Sequence, residues 1–113
     1  MAKLVKAIRG SPYWDSAAII ITYDEFGGRW DHVAPPKGDR WGPGSRVPAI
    51  IVSPFAKCGF VDHTFYDTTS ILKFIERRFG LVPITTRPVG DLTNAFDFPQ
   101  EEEKPHFQRR GMY

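Results

Sequence analysis

The chain has 113 residues, which limits it to a single domain with a modest hydrophobic core. Hydrophobic residues make up 42% of it, including 9 Phe, 4 Tyr and 3 Trp, which is typical of a packed fold rather than a disordered segment. The 15 basic and 13 acidic residues leave a net charge of only +2 without a basic stripe, which argues against nucleic-acid binding.

Cysteine usage and hydropathy restrict the chain further. Cys58 is the only cysteine, so no disulfide can form within the chain. The longest apolar run is far too short to span a membrane, and residues 3–8 lack the apolar core of a signal peptide. We therefore expect no transmembrane segment and no export signal here, which leaves the cellular location open.

The first half of the chain predicts a helix, a strand and a long loop. Residues 2–9 have an amphipathic pattern that predicts a helix ending at Gly10. Residues 16–23 predict a strand, and their A-A-I-I-I run without polar alternation is typical of strands covered on both faces in parallel sheets. Residues 26–46 contain five Gly and three Pro. A loop of that length is uncommon in a compact domain unless it has a role, such as covering a site.

The second half predicts a strand and a helix. Residues 47–53, V-P-A-I-I-V-S, predict a second buried strand. A helix is predicted to begin with Asp67 or Thr68 as its cap and to run to about Phe79, with Gly80 ending it. Beyond that glycine the hydrophobic periodicity fades.

These elements do not complete a parallel sheet. Two parallel strands and two helices cannot cover both faces of such a sheet, and parallel sheets need that cover. We therefore expect residues 1–98 to be part of something larger. The last residues, 99–113, are rich in charge and predict a flexible, solvated tail.

Four candidate site residues follow the first predicted strand. Asp24 and Glu25 come directly after it, and Asp31 and His32 lie beyond the Gly-Gly turn at 27–28. Ligands of parallel sheets collect at the carboxyl ends of the strands, and two carboxylates there suit Ca²⁺, Mg²⁺ or Mn²⁺. With His32 added, a Zn²⁺-type site is also conceivable. The alternative interpretation, two solvated loop carboxylates, is equally supported by the residues alone.

The two histidine-containing pairs each have two interpretations. Asp31 and His32 form either a ligand with its orienting partner or, slightly favoured, a pair that stabilises the loop. His63 either binds an anion or metal or, as we favour, hydrogen-bonds backbone near the start of the second helix. The sequence contains neither a G-x-S-x-G elbow nor a phosphate-binding P-loop, so no nucleophile motif is present.

Five segments, in a fixed order over residues 1–98, match one known family. They are S-P-Y-W at 11–14, I-I-I-T-Y-D-E-F-G-G-R-W-D-H-V-A-P-P at 19–36, G-P-G-S-R-V-P-A-I-I-V-S-P-F at 42–55, G-F-V-D-H-T-F-Y-D-T-T-S-I-L-K-F-I-E-R-R-F-G-L at 59–81 and F-D-F at 96–98. They resemble the bacterial phosphoesterase family that includes non-haemolytic-type phospholipases C and a group of acid phosphatases, within the alkaline phosphatase superfamily.

The resemblance is to the C-terminal part of the family's catalytic domain. It implies a partial alkaline-phosphatase-like core: an α/β fold with a short, mostly parallel sheet, flanking helices and a long Gly/Pro-rich loop. By this mapping Asp24 and Glu25 are metal ligands, and Asp31 and His32 border the same site as catalytic residues. In the family an N-terminal portion supplies a Glu-Asn pair and a hydroxyl nucleophile, and these have no counterpart in this sequence.

Two functional hypotheses follow. In the first, the chain is a C-terminal fragment of a metal-dependent phosphoric ester hydrolase that holds half of a site for a divalent metal ion. It would act on a phosphate ester, phospholipid or phosphomonoester, when complemented by the missing N-terminal half. In the second, the chain is a non-catalytic α/β remnant that forms a homo-oligomer or binds a partner through its uncovered sheet. Family members are commonly exported, whereas this chain shows no signal peptide.

Overall fold

The computed structural model describes residues 1–99, so nearly all of the predicted tail lies outside the described residues. The elements are helix α1 (Ala2–Arg9), strand β1 (Ile19–Thr22), strand β2 (Ala49–Val52) and helix α2 (Thr69–Phe79), with 3-10 turns at Trp14–Ser16 and Thr93–Ala95. The predicted mixture of helices and strands is confirmed. Within residues 1–99, no helix has the length and apolar character needed to cross a membrane.

The sheet differs from the prediction in the direction of its strands. β1 and β2 pair antiparallel, with Ile19 opposite Val52 and Thr22 opposite Ala49. The mostly parallel sheet is therefore not confirmed in the described residues. A parallel connection needs a crossover, usually a helix, whereas residues 23–48 contain no helix and bring the chain back beside β1 in the opposite direction. An apolar run predicts a strand, but it does not determine the direction of the partner strand.

Two side-chain hydrogen bonds extend the antiparallel ladder at its ends. The Thr22 hydroxyl donates to the Pro48 carbonyl over 3.0 Å, and the Ser53 hydroxyl donates to the Ala17 carbonyl over 2.8 Å. β1 therefore ends firmly at Thr22, and the residues that follow it leave the sheet at a fixed point. Ile50 on β2 is exposed, so one part of this sheet has no cover from residues 1–99.

A stack of aromatic rings forms the core. Leu92 and Phe96 are the buried hydrophobic residues in the described part of the chain, and Phe96 is only 5% exposed. The Phe96 ring stacks on Phe74 of α2 at 4.9 Å and on Phe98 at 5.1 Å between centroids, and Phe55 lies 5.6 Å from Phe98. The stack attaches α2 to the segment after residue 91 and to the residues that follow β2.

Both ends of α2 follow from local chemistry. At the start, the Asp67 carboxylate accepts the Thr69 N–H over 2.8 Å, and the Ser70 hydroxyl accepts the Asp67 N–H over 3.2 Å. These reciprocal bonds satisfy backbone donors that the first helical turn leaves free. At the other end, Gly80 has a φ of 62°, in the left-handed region that a glycine adopts without strain. Of the two residues predicted to cap the start, Thr68 is the N-cap, and the predicted end at Gly80 is confirmed.

The central ring of the stack provides a test of the core. We expect Phe96→Ala to lower the free energy of unfolding by about 3–5 kcal/mol, because it removes a buried ring that is stacked on two others. The matched control is Phe79→Ala, which truncates a 68% exposed ring at the end of α2 and should change the free energy by less than about 0.5 kcal/mol. Denaturant unfolding followed by fluorescence measures both, and equal losses would contradict this core.

Candidate functional site

The adjacent carboxylates lie where β1 leaves the sheet. Asp24 and Glu25 are both exposed and lie just beyond the sheet end, separated from Thr22 by Tyr23. One oxygen of Asp24 accepts the Glu25 N–H over 3.1 Å, and one oxygen of Glu25 accepts the Gly27 N–H over 2.8 Å. The second oxygen of each carboxylate accepts no hydrogen bond from residues 1–99, so both side chains have a free oxygen to offer a cation.

The turn that follows requires glycine. Gly27 and Gly28 have φ values of 66° and 70°, in the left-handed region that side chains disfavour. Two successive residues of this kind reverse the chain directly after Glu25. The Gly-Gly pair therefore separates the Asp24–Glu25 pair from the Asp31–His32 pair by a sharp bend.

Asp31 is engaged by an arginine. Nε and Nη2 of Arg46 each donate to one Asp31 oxygen over 2.8 Å, and the Val33 N–H adds a third bond of 3.0 Å. These bonds hold the pKa of Asp31 well below its usual range, with the Arg46 hydrogen bond as the main cause. The Asp31 side chain is 15% exposed, whereas His32 is 75% exposed, with its Nδ1 3.8 Å from the carboxylate. Asp31 is thus a poor proton acceptor and a strong anchor for the loop.

The residues present fit a metal in chemistry but not in number. Carboxylate oxygens of Asp24 and Glu25 suit a hard divalent ion, yet such an ion takes six or more oxygen ligands. In the part of the chain that the structure describes, no three His, Cys, Asp or Glu side chains come together as a metal-binding group. The metal role of Asp24 and Glu25 and the catalytic role of Asp31 and His32 stay predictions.

The second Asp-His pair has its carboxylate in a hydrogen-bonded network. Asp62 accepts the Tyr66 hydroxyl over 2.7 Å, the Thr64 N–H over 2.9 Å and the Asn94 amide over 3.0 Å. Burial raises the pKa of Asp62, but these hydrogen bonds outweigh burial and lower the pKa to about 2. Burial and the bond to Asp62 raise the pKa of Tyr66 to about 12. His63 is exposed, so the structural role that the sequence suggested for the histidine belongs to Asp62.

Arg87 is a residue that sequence reasoning missed. Its Nε and Nη2 donate to the two oxygens of Asp39 over 3.0 Å each, and its Nη1 donates to Asp67 over 2.9 Å. One guanidinium therefore joins the Gly/Pro-rich loop to the start of α2. Burial raises the pKa of Asp67, but the hydrogen bonds from Thr69 and Arg87 have the larger effect. The pKa of Asp67 is therefore lowered. The partners lie 48 residues apart, and no local pattern indicates such a pairing.

The pair formed by Asp31 and Arg46 can be tested by titration. We expect Arg46→Gln to raise the pKa of Asp31 towards its ordinary value, because the main cause of the depression is removed. The remaining bond from the Val33 N–H should keep the pKa somewhat below that value. Carboxyl ¹³C NMR measures the titration directly. The control is Arg40→Gln, whose guanidinium lies over the Trp41 ring instead; an unchanged Asp31 titration in Arg46→Gln would contradict the assignment.

The Asp62 network predicts a pH dependence of stability. Because the pKa of Asp62 falls from 3.8 to about 2 on folding, the ionised carboxylate stabilises the fold above the higher value. That stabilisation is lost as the pH drops towards the lower one. Between about pH 5.5 and 2.5, we expect the native chain to lose about 1–2 kcal/mol more unfolding free energy than Asp62→Asn. Urea unfolding across this pH range measures the unfolding free energy of both chains, and Asp15→Asn serves as an exposed control. Parallel pH profiles for the native chain and Asp62→Asn would refute the prediction.

Comparison with known proteins identifies the family. The model of the Phosphoesterase family matches residues 1–82. The chain is 31% identical to a non-hemolytic phospholipase C of Pseudomonas aeruginosa, over 90% of this chain and 20% of the relative. It is 36% identical to a non-hemolytic phospholipase C of Burkholderia pseudomallei, over 85% of this chain and 19% of the relative. It is also 36% identical to phospholipase C B of Mycobacterium tuberculosis, over 82% of this chain and 24% of the relative.

These relatives are much longer than this chain, which spans between 19% and 24% of each of them. The match covers β1, the carboxylates after it, the Gly/Pro-rich loop, β2 and α2. The resemblance read from the sequence motifs is confirmed. The chain belongs to the phosphoesterase family.

Proposed function

We propose that residues 1–98 are the C-terminal portion of the catalytic domain of a metal-dependent phosphoric ester hydrolase. The enzyme is of the phospholipase C or acid phosphatase type within the alkaline phosphatase superfamily. The observation that supports this most is the position of Asp24 and Glu25, two exposed carboxylates at the end of β1, each with an oxygen free of hydrogen bonds from residues 1–99. The relatives named phospholipase C support the class of reaction.

The residues of this chain would have distinct roles. Asp24 and Glu25 hold the divalent ion, which when bound supplies charge that polarises the phosphoryl oxygens. Asp31 stays ionised under the clamp of Arg46 and fixes the loop rather than accepting a proton. The imidazole of His32 is exposed and is the group that we assign to proton exchange with the substrate.

The chain is proposed to act together with another segment. The family resemblance implies a hydroxyl nucleophile and a Glu-Asn pair that this sequence does not match. The two carboxylates also leave most of the coordination positions of a hard divalent ion to other ligands. Turnover therefore requires a segment that carries the complementary half of the catalytic domain.

A second candidate function is an oligomerising or interaction module without catalysis. Exposed apolar side chains favour it, namely Ile50 on β2, Phe79 at the end of α2 and Ile84 beyond it. Large exposed apolar surfaces are typical of sites for another protein. Under this alternative Asp24 and Glu25 are solvated loop residues without a ligand.

Metal binding distinguishes the two candidates. We expect Mn²⁺, followed by EPR, to bind the native chain weakly and to bind Asp24→Asn or Glu25→Gln at least about tenfold more weakly still. Asp15→Asn removes an exposed carboxylate outside the site and should leave the affinity unchanged. A folded native chain that does not bind Mn²⁺, or that binds it equally well after Asp24→Asn, would contradict the metal role.

Complementation then tests the reaction. The chain is mixed with the N-terminal portion of a phospholipase C relative, and hydrolysis of p-nitrophenyl phosphate and of p-nitrophenylphosphorylcholine is measured with added Mn²⁺. Turnover that disappears with Asp24→Asn supports the hydrolase. Turnover of the choline diester alone favours the phospholipase C type. If sedimentation velocity shows that the chain self-associates and neither substrate is turned over, the interaction module is favoured.

A further inference from the structure

The loop that contains the candidate site has a single polar connection to the second half of the molecule. We define the site loop as residues 24–46, from the Asp24–Glu25 pair to Arg46. Among residues 1–99, the hydrogen bonds and ion pairs that join the site loop to the chain after β2 all come from Arg87, and all end on Asp39. The remaining polar contacts of the loop, such as Arg46 with Asp31, are internal to it.

Arg87 reaches the loop from a well-anchored segment. The Lys73 ammonium of α2 donates to the backbone carbonyls of Arg87 and Val89. Four residues further on, Asp91 pairs with Arg77 of the same helix over 2.6 Å. Two side chains from successive turns of α2 therefore hold the backbone from Arg87 to Asp91, and the guanidinium is presented from a fixed backbone.

The segment around Gly90 cannot shift easily either. The Gly90 N–H donates to the Phe65 carbonyl over 3.1 Å. A Cβ atom at Gly90 would lie 2.6 Å from the Tyr66 ring and 2.9 Å from Thr64, so the backbone passes directly against these side chains. The base of Arg87 is thus packed as well as hydrogen-bonded.

The turn of the site loop that Arg87 binds has hydrogen bonds of its own. Asp39 accepts the Trp41 N–H through its carboxylate over 2.8 Å, and its carbonyl accepts the Gly42 N–H over 3.3 Å. A Cβ atom at Gly38 would lie 1.8 Å from the Gly42 carbonyl oxygen, so the backbones of Gly38 and Gly42 approach each other closely here. Fixing Asp39 therefore fixes a compact turn rather than a single loose residue.

We propose that Arg87 is a positioning residue for the candidate metal site: its guanidinium, shared between Asp39 and Asp67, fastens the site loop to the start of α2. Three charge-assisted hydrogen bonds, two of them in the parallel geometry that suits a guanidinium and a carboxylate, make this connection specific for arginine. The order of the loop is a property of the chain by itself, whereas the effect on metal binding rests on the proposed function.

Hydrogen exchange measures the order of the loop without any metal. In Arg87→Gln and in Asp39→Asn, we expect the amides of residues 37–44 to exchange about two- to fivefold faster, because a half-exposed charged pair is lost. Arg78→Gln is the matched control, since it removes an exposed arginine of α2 whose guanidinium lies over the Phe79 ring and does not hold the segment of Arg87. Arg87→Lys should restore only part of the protection, because an ammonium cannot bond both oxygens of Asp39 and Asp67 together.

If Arg87→Gln destabilises the whole fold, Asp39→Asn still tests the proposal. Asp39 lies on the loop, is half exposed, and within residues 1–99 has no hydrogen bond or ion pair to α2. Its replacement should leave the exchange of the first turn of α2 unchanged. Unchanged exchange at residues 37–44 in both variants, or an equal increase in Arg78→Gln, would overturn the proposal.

Mn²⁺ affinity provides the second measurement. We expect Asp39→Asn to weaken Mn²⁺ binding about two- to fivefold, in step with the loss of loop protection and without a change in the unfolding midpoint. Faster loop exchange with an unaltered Mn²⁺ affinity would overturn the positioning role. If the native chain does not bind Mn²⁺ at all, the proposed function fails, and the exchange data alone decide whether Arg87 holds the loop.

Discussion

The stack of Phe74, Phe96 and Phe98 is the contact on which the second half of the structure depends. α2 has an apolar stripe but too few turns to be stable alone, so its helical state needs a packed partner. The rings of Phe96 and Phe98 supply that partner from a segment without regular secondary structure. Because Phe96 is fixed against α2, the chain between the end of α2 and Phe96 returns along the helix. That path contains the residues that reach the site loop.

Charged side chains then organise the parts of the chain that have no helix or strand. Arg46 binds Asp31 within the loop, Arg87 binds the loop to α2, and Arg77 binds Asp91 on the returning segment. Each carboxylate also accepts a backbone N–H two residues ahead of it, at Val33, Trp41 and Thr93. Such local bonds replace the backbone ladder that these segments lack. The same carboxylate therefore shapes its own turn and pairs that turn with an arginine.

The sequence predicted the elements better than their arrangement. Residues 2–9 and the bounds of α2 follow from local signals, namely amphipathic spacing, the polar residues Asp67 and Thr68 before the helix and the left-handed Gly80, and these signals act within a few residues. The direction of β2 depends on how the site loop returns, which no local pattern encodes. The contacts of Phe96 with Phe74 and of Arg87 with its two carboxylates were missed for the same reason, because they join residues twenty or more positions apart and involve a stretch without hydrophobic period. At the candidate site, the residue types indicated chemistry, whereas the clamp of Arg46 on Asp31 became visible only in three dimensions.

The residues that match the family depend on residues that lie beyond the match. The family model ends at residue 82. Phe96, at the centre of the aromatic stack, and Arg87, which binds the site loop, both come later in the chain. Within residues 1–99, the hydrogen bonds of the adjacent carboxylates after β1 stay within their own turn. The end of β1 fixes where that turn begins, and Arg87 holds the far part of the site loop through Asp39. A chain cut at the end of the family match would keep every candidate ligand and lose the rings of Phe96 and Phe98, which pack on α2, and the guanidinium that binds Asp39.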